Sequence, residues 1–411
     1  MNTDRLKLFA IAFVVRLAVL AVAWRTGRFP NFWEYEVIAH NLLAGRGFVY
    51  THMGLERHAY VEPLYPLFVA AVYLVSGASV WALAVVQCAV SSLIAVAVYE
   101  LARLTFDRRT AIAAGLIVII HPGLAANAVR FHVVTFDALG MATVALCAML
   151  WMREPRSGRA ALFGAVTGVC VLTRPTILGF SSLFVVWVAV RRRVAPMHAL
   201  IALGTATAIV APWVVRNYVV LDAFVFTRSH VGFGFWLGNH PGATGGEGDP
   251  DDPTGSRSLF DRAPASFREV VLAQPDEIAQ DRVFRDAARR YVVDHPVEFV
   301  MRTAKKLVYF WGFSPYAGKR YRTADVVIYR AFYIAIVMLA LIGLIVVDWR
   351  DRRQADGVRV VLLTLATISL SQALFYVQGR HRLALEPLLI VLSGRGVSWC
   401  LTRRWPGWCA H

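Results

Sequence analysis

The chain has 411 residues, 57% of them hydrophobic, and a formal net charge of +16, with a mean hydropathy of +0.53. Apolar runs recur along most of the length, which excludes a soluble globule and predicts an all-α polytopic membrane protein. Much of the positive charge lies in short breaks between those runs, where it faces anionic lipid, so nucleic acid is excluded as a partner and the bilayer is the expected one.

The first run, "LKLFAIAFVVRLAVLAVAW" (6–24), lacks a small-residue cleavage site and is followed by many further spans, so it reads as a retained first span. Directly after it comes "RFPNFWEYEVIAHNLLAGRGF" (28–48), an amphipathic helix in pattern with two glutamates and two asparagines. At about 100° per residue, Asn31, Glu34, Ile38 and Asn41 share one face and Glu36 points away from it. Asn31 is a good N-cap, and Glu34 three residues on completes a capping box. Those residues therefore serve either to start a helix or to do chemistry. Glu62 in "YVEPLYP" precedes a proline-started helix (63–77), short for a full crossing and placed at the outer interface with a short eleventh span as the alternative, and reads as a helix-start charge or a functional carboxylate. His52 and His58 read as solvated loop residues.

Arginine-rich breaks at 102–110, 153–159, 191–193, 348–359 and 402–404 set the orientation. If all face the cytoplasm, the spans between them pair as 110–121 with 132–151, 160–172 with 176–190, 197–218 with 325–347, and 358–377 with 383–400. With 6–24 and 79–103 this gives ten crossings and both termini cytoplasmic, in a plasma or inner membrane. The organisation is then an N-terminal membrane module (1–218) with a first external loop (25–78), a long external segment (219–324), and C-terminal membrane helices (325–411). Within the long segment, 232–256 reads as a glycine- and proline-rich loop and 275–296 as a soluble helix. Residues 297–313 read as an interfacial helix with Arg302, Lys305, Lys306 and Tyr309 on one face and Val300, Ala304, Leu307 and Trp311 on the other. The five cysteines, Cys88, Cys147, Cys170, Cys400 and Cys409, fall in spans or in the tail and give no disulfide framework or metal spacing.

Arg174 in "LTRPT", Arg216 in "APWVVRNY", and Arg380, His381 and Arg382 in "QGRHRLALEP" stand at the outer mouths of helices, against the general charge bias. A guanidinium there either snorkels or caps a helix end, or faces the bundle interior with an anion. Several at one level, joined by Lys305 and Lys306, favour a shared anion site, and arginine forks suit phosphate.

The succession "EYEVIAHNLLAGRGF", "EPLYPLF", "LTRP", "PWVVRN", "GFWLGNHPGATG", "HPVEFVMRTAKKLVYFW" and "GRHRLALEP" resembles the GT-C membrane glycosyltransferases, in particular bacterial relatives of protein O-mannosyltransferases and of the lipid A aminoarabinose transferase. The resemblance covers nearly the whole chain in order. It implies inverting transfer of a hexosyl or pentosyl group, on the external face, from a polyprenyl-phosphate-linked donor to an acceptor, with an acid of the first external loop as base and basic residues holding the lipid phosphate. The family's loop acid is usually an aspartate four residues before a tyrosine, and the matching position before Tyr35 is Asn31, an amide that cannot act as base. Glu34 or Glu62 takes that role, or the activity is altered. Arg174, Arg216, Arg380 and Arg382, with Lys305 or Lys306, match the phosphate-binding positions, and Tyr35, His381 and Asn31 are further substrate-contact candidates. No cofactor is required, although a Glu34–Glu62 pair could hold a divalent ion. The competing readings are a transporter or flippase of an anionic lipid, which would place polar breaks near mid-membrane, and a silent scaffold of the same fold.

Overall fold

The computed structural model describes residues 3–30, 32–246, 252, 259–314 and 322–403. Asn31 and Cys409 therefore lie outside the described residues. The chain runs α1 (Thr3–Arg25), α2 (Glu34–Leu43), a hairpin of β1 (Tyr50–His52) and β2 (Leu55–Arg57), α3 (Leu64–Ser76), α4 (Val80–Thr105), α5 (Arg108–Ile120), α6 (Pro122–Asn127), α7 (Val134–Arg153), α8 (Ser157–Val171), α9 (Ile177–Val190) and α10 (Pro196–Leu221). Then follow α11 (Val231–Gly238), α12 (Ala265–Leu272), α13 (Glu277–Asp294), α14 (Pro296–Trp311), α15 (Thr323–Ile345), α16 (Arg352–Ala373), α17 (Gly379–Leu383) and α18 (Glu386–Arg403). Each of the ten predicted spans appears as a helix.

By length and composition α1, α4, α7, α10 and α15 can cross a membrane, which makes this a multi-pass membrane protein. The apolar helices α3, α8 and α9 are shorter. The 13 residues of α3 reach only about 20 Å, against the ~30 Å of a hydrocarbon core.

Chain punctuation follows the expected chemistry. The side chains of Ser79, Asp107, His121, Asp276 and Asp351 cap α4, α5, α6, α13 and α16. The capping box anticipated at α2 does not form: the helix begins at Glu34 itself, with Trp33, which has no capping oxygen, in the cap position. Glu34 is thus the first helical residue and not the third.

The helices pack closely through glycine. A Cβ on Gly164 of α8 would stand 2.2 Å from the carbonyl oxygen of Ala202 on α10, and one on Gly343 of α15 would stand 2.0 Å from that of Leu392 on α18. Bare backbone at these points lets whole helices approach, the usual source of association energy where solvent gives no hydrophobic drive. Arg16, in the middle of α1, is fully buried. It donates to the carbonyls of Val118, at 2.9 Å, and Ile119, which lose their helical partners where Pro122 interrupts α5.

The hairpin and the helices α11 to α14 pack on one another. The hairpin turns at Met53 and Gly54, both at positive φ (50° and 75°), as a two-residue turn of this hand requires. It docks on α13, where Arg57 bonds Gln280 and Glu277 accepts from the His58 amide at 2.7 Å and from the Ser229 hydroxyl. His52, expected in solvent, is half-buried against Tyr60 and His230, with ring centroids 4.9 and 5.5 Å away, and burial pushes it down to about 4.

On α14 the two faces separate as anticipated, the apolar one outward and the basic one partly toward the protein. Val297, Val300 and Val308 are 71, 65 and 69% exposed, an apolar stripe suited to lipid, while Lys306 turns inward. Its ammonium donates to Asn239 Oδ1 at 3.0 Å and to the Phe375 carbonyl at 2.6 Å. The basic stripe therefore serves as glue to α11 and α16, and only Lys305, 5.5 Å from the Tyr309 ring centroid, stays at the rim.

Two outcomes test this packing. Gly164→Val should destabilise the fold severely in detergent, by the several kcal/mol of an overpacked contact (~1–3 or more), whereas Gly204→Val, with open space at its Cβ position, should leave the unfolding midpoint unchanged. Burial, with Arg302 adding to it, pushes Lys306 down from 10.5 to about 7. Between those values the unfolded chain holds a proton that the folded chain does not, so stability rises with pH across the window. The midpoint of the wild type relative to Lys306→Met should climb from pH 7 to about 10; parallel curves would contradict the buried amine.

Candidate active site

The site is built where α2, α3, α7, α11 and α17 converge at the loop-rich end of the bundle. Tyr35 is buried and meets Tyr65 and His132 edge-on, with centroids at 5.0 and 5.4 Å. Tyr65 donates to Gln87 Oε1 at 2.5 Å, and the Gln87 amide donates to the carbonyls of Asn127, Ala128 and Arg130 at 3.3, 3.1 and 2.5 Å. One buried amide on α4 thereby fixes the loop that presents His132.

Three carboxylates face this aromatic centre. Asp137, in the first turn of α7, has no solvent exposure and accepts from Arg174, between α8 and α9. Glu62, just before α3, pairs with Arg228 at 3.4 Å. Glu34, half-buried, acts with Glu62 and Asp137 on the Tyr35 hydroxyl: burial first, then these three charges, raise it well above the ordinary tyrosine value, with Arg380 opposing them. Arg380 stands with Nη1 3.3 Å from His132 Nε2 and Nη2 3.4 Å from the Tyr376 hydroxyl. The buried His381 beside it lies in the field of Arg174, Arg380, Arg228 and His132.

Of the residues anticipated from sequence, Glu34, Glu62, Tyr35, Arg174, Arg380 and His381 are thus brought together. Others are placed elsewhere. Arg216 donates to the His58 carbonyl at 2.5 Å and lies over the rings of Trp213 and Phe48, at 4.9 and 5.7 Å, pinning the hairpin to α10. Arg382 is 3% exposed and consumed by structural partners: Glu386 at 3.2 Å, the carbonyls of Phe310 and Gly312, and the Tyr329 hydroxyl at 3.1 Å. It lies 4.0 Å from the Tyr333 ring centroid, and Glu386 continues to His121 at 2.7 Å. Arg382 clamps the helices behind the site, and Lys306 and Lys305 sit on α14 as described.

Glu36, two residues from Glu34, points into the protein as well. Its buried carboxylate accepts from Tyr73 and ties α2 to α3; burial pushes it up. Four residues of the cluster escaped the sequence reading: His132, Asp137, Arg228 and Tyr376. A lone aspartate opening the apolar run "VTFDALG" is the signal that would have found Asp137; Arg228, in loop sequence, and Tyr376, at the end of a predicted span, carry none.

Residues 58–215 match the family model described as dolichyl-phosphate-mannose-protein mannosyltransferase, a stretch holding Glu62, His132, Asp137 and Arg174. No curated protein matches the chain in sequence. Among solved structures, the apo oligosaccharyltransferase of Archaeoglobus fulgidus superposes with a TM-score of 0.58 at 14% identity, over 97% of this chain and 51% of that one. Its complex with an inhibitory peptide and a dolichol-phosphate gives 0.57 at 13%, over 98% and 51%. ArnT from Cupriavidus metallidurans, bound to undecaprenyl phosphate, gives 0.45 at 16%, over 98% and 79%. The chain thus spans about half the length of the archaeal enzyme. The chain is thus a multi-pass membrane protein that shares the fold of the archaeal oligosaccharyltransferase along nearly its whole length, with the stretch matched by the mannosyltransferase family model inside it.

Proposed function

We propose that this protein transfers a sugar from a polyprenyl-phosphate-linked donor to an acceptor hydroxyl at the loop-rich, external end of the bundle, with inversion at the anomeric carbon. The observation that carries the reading is the convergence of Glu34, Glu62 and Asp137 with Arg174, Arg228 and Arg380 around Tyr35. A carboxylate set for proton transfer and cations set for a leaving phosphate are the two halves of such a reaction. The archaeal protein that shares the fold is an oligosaccharyltransferase solved with a dolichol-phosphate, which suits a lipid-linked donor here.

In this reading Glu34 takes the acceptor proton as the hydroxyl oxygen attacks the anomeric carbon. The bond from that carbon to the phosphate oxygen breaks, and its electron pair leaves on the phosphate. Arg380 receives the developing charge, with His381 beside it. Arg174 and Arg228 are held by Asp137 and Glu62, so they shape the pocket and supply donors while adding little net charge. Glu62 is the second carboxylate, placed by Arg228 to bind the sugar or orient the acceptor. The arginine-rich opposite end would face the cytoplasm with both termini.

Purified protein incubated with a panel of polyprenyl-phosphate sugars and membrane extract should release free polyprenyl phosphate, followed by mass spectrometry. Glu34→Gln should lower turnover by roughly 10²–10⁴ and Arg380→Gln by roughly 10²–10³. If no donor is consumed where a related enzyme works, the transferase reading fails; if activity survives both Glu34→Gln and Glu62→Gln, the carboxylate base is wrong. Arg382→Lys should instead lower the unfolding midpoint, since it breaks bonds to two carbonyls and a hydroxyl.

A further inference from the structure

The opposite end of the bundle holds a second polar constellation, separate from the site above. α7 carries Asp137 near its start and Arg153 as its last residue, about 24 Å apart along the axis at ~1.5 Å per residue. At the Arg153 end a cavity of about 410 Å³ opens between α7, the α9–α10 connection and the start of α16, lined by Met149, Met152, Arg153, Arg193, Arg352, Arg353 and Asp356.

Its charges do not balance. Asp356, 7% exposed, is shared by Arg193 at 2.5 Å, Arg359 at 3.2 Å and, more distantly, Arg352 at 3.9 Å. Arg353 donates instead to the carbonyls at the end of α4, Leu104 at 2.8 Å and Arg103, and Arg153 donates to Leu104 as well. Those carbonyls orient the two guanidinium groups, and the Asp351 carboxylate at the start of α16 acts on both, so two carboxylates stand against five arginines. Met149 and Met152 give the cavity an apolar wall, with Met152 Sδ 3.5 Å from Arg193.

We propose that this cavity binds the phosphate of an anionic phospholipid, its glycerol and first methylenes resting on Met149 and Met152. An anion fits because the guanidinium forks of five arginines outnumber the two carboxylates, Asp356 and Asp351, beside them. A lipid fits better than soluble phosphate because the cavity lies at the end of a spanning helix, at headgroup level, with an apolar wall beneath the charges.

The test uses the full chain in nanodiscs of phosphatidylcholine with added phosphatidylglycerol, counting retained lipid by native mass spectrometry. Wild type should retain phosphatidylglycerol over phosphatidylcholine. Arg352→Gln, at a side chain 77% exposed and so safe for folding, should lower that occupancy about fivefold. Arg156→Gln, 78% exposed in the α7–α8 connection of the same end, should not. An equal loss in both variants would reduce the effect to general surface charge and overturn the site. So would the absence of any preference for the anionic lipid. Displacement of the bound lipid by millimolar inorganic phosphate alone would assign the cavity to a soluble anion and overturn the lipid reading.

Discussion

In hydrocarbon a polar group must find its partner within the protein, and this constraint organises the whole bundle. Arg16 illustrates it at mid-span. A guanidinium there is tolerable because α5 stops at Ile120 and leaves carbonyls without helical donors, and the arginine supplies them. The break and the charge explain each other: remove either and a buried polar group is orphaned. His121, at the same break, caps α6 with one ring nitrogen and meets Glu386 with the other. From Glu386 the chain of partners runs through Tyr329 and Arg382 to the last carbonyls of α14. A sequence of helix ends, each completed by a side chain from another helix, thus ties α1, α5, α6, α14, α15 and α18 together.

That framework explains why the candidate site stands where it does. α17, which carries Arg380 and His381, is a five-residue helix between two long ones and has little packing of its own. Arg382 supplies its anchorage, fastening the next residue in the chain to α14 and α15. The adjacent side chains then project to the other side, toward His132 and Tyr376. Within "GRHRL" the anchoring Arg382 is more buried than the neighbouring His381. On the opposite wall Gln87 does for His132 what Arg382 does for Arg380.

The bundle was legible because its grammar is simple. Apolar runs separated by arginines give all ten helices within a few residues. Facing was harder. Lys306 and Arg382 belong to basic motifs that look alike in sequence, yet burial and bonding partners put each in a structural role, because the chain uses cations to close helix ends as well as to hold ligands. Spacing along one helix cannot tell which carbonyls will be left open on another. For the same reason the pairing of Glu62 with Arg228, whose partners are 166 residues apart, has no local signature.

The two glutamates of α2 show how position divides similar side chains. Glu36, in the same first turn, is buried against Tyr73, and burial favours its neutral form. Glu34 is the first residue of that helix, where the unpaired amides and the positive end of the helix dipole favour a negative charge. A general base must be ionised before it can accept a proton, which burial against Tyr73 disfavours for Glu36. With the helix starting at Glu34, its charge acts on the hydroxyls of Tyr35 and Tyr50. Glu36 fixes α2 upon α3, and by doing so it sets the angle at which Glu34 enters the cluster.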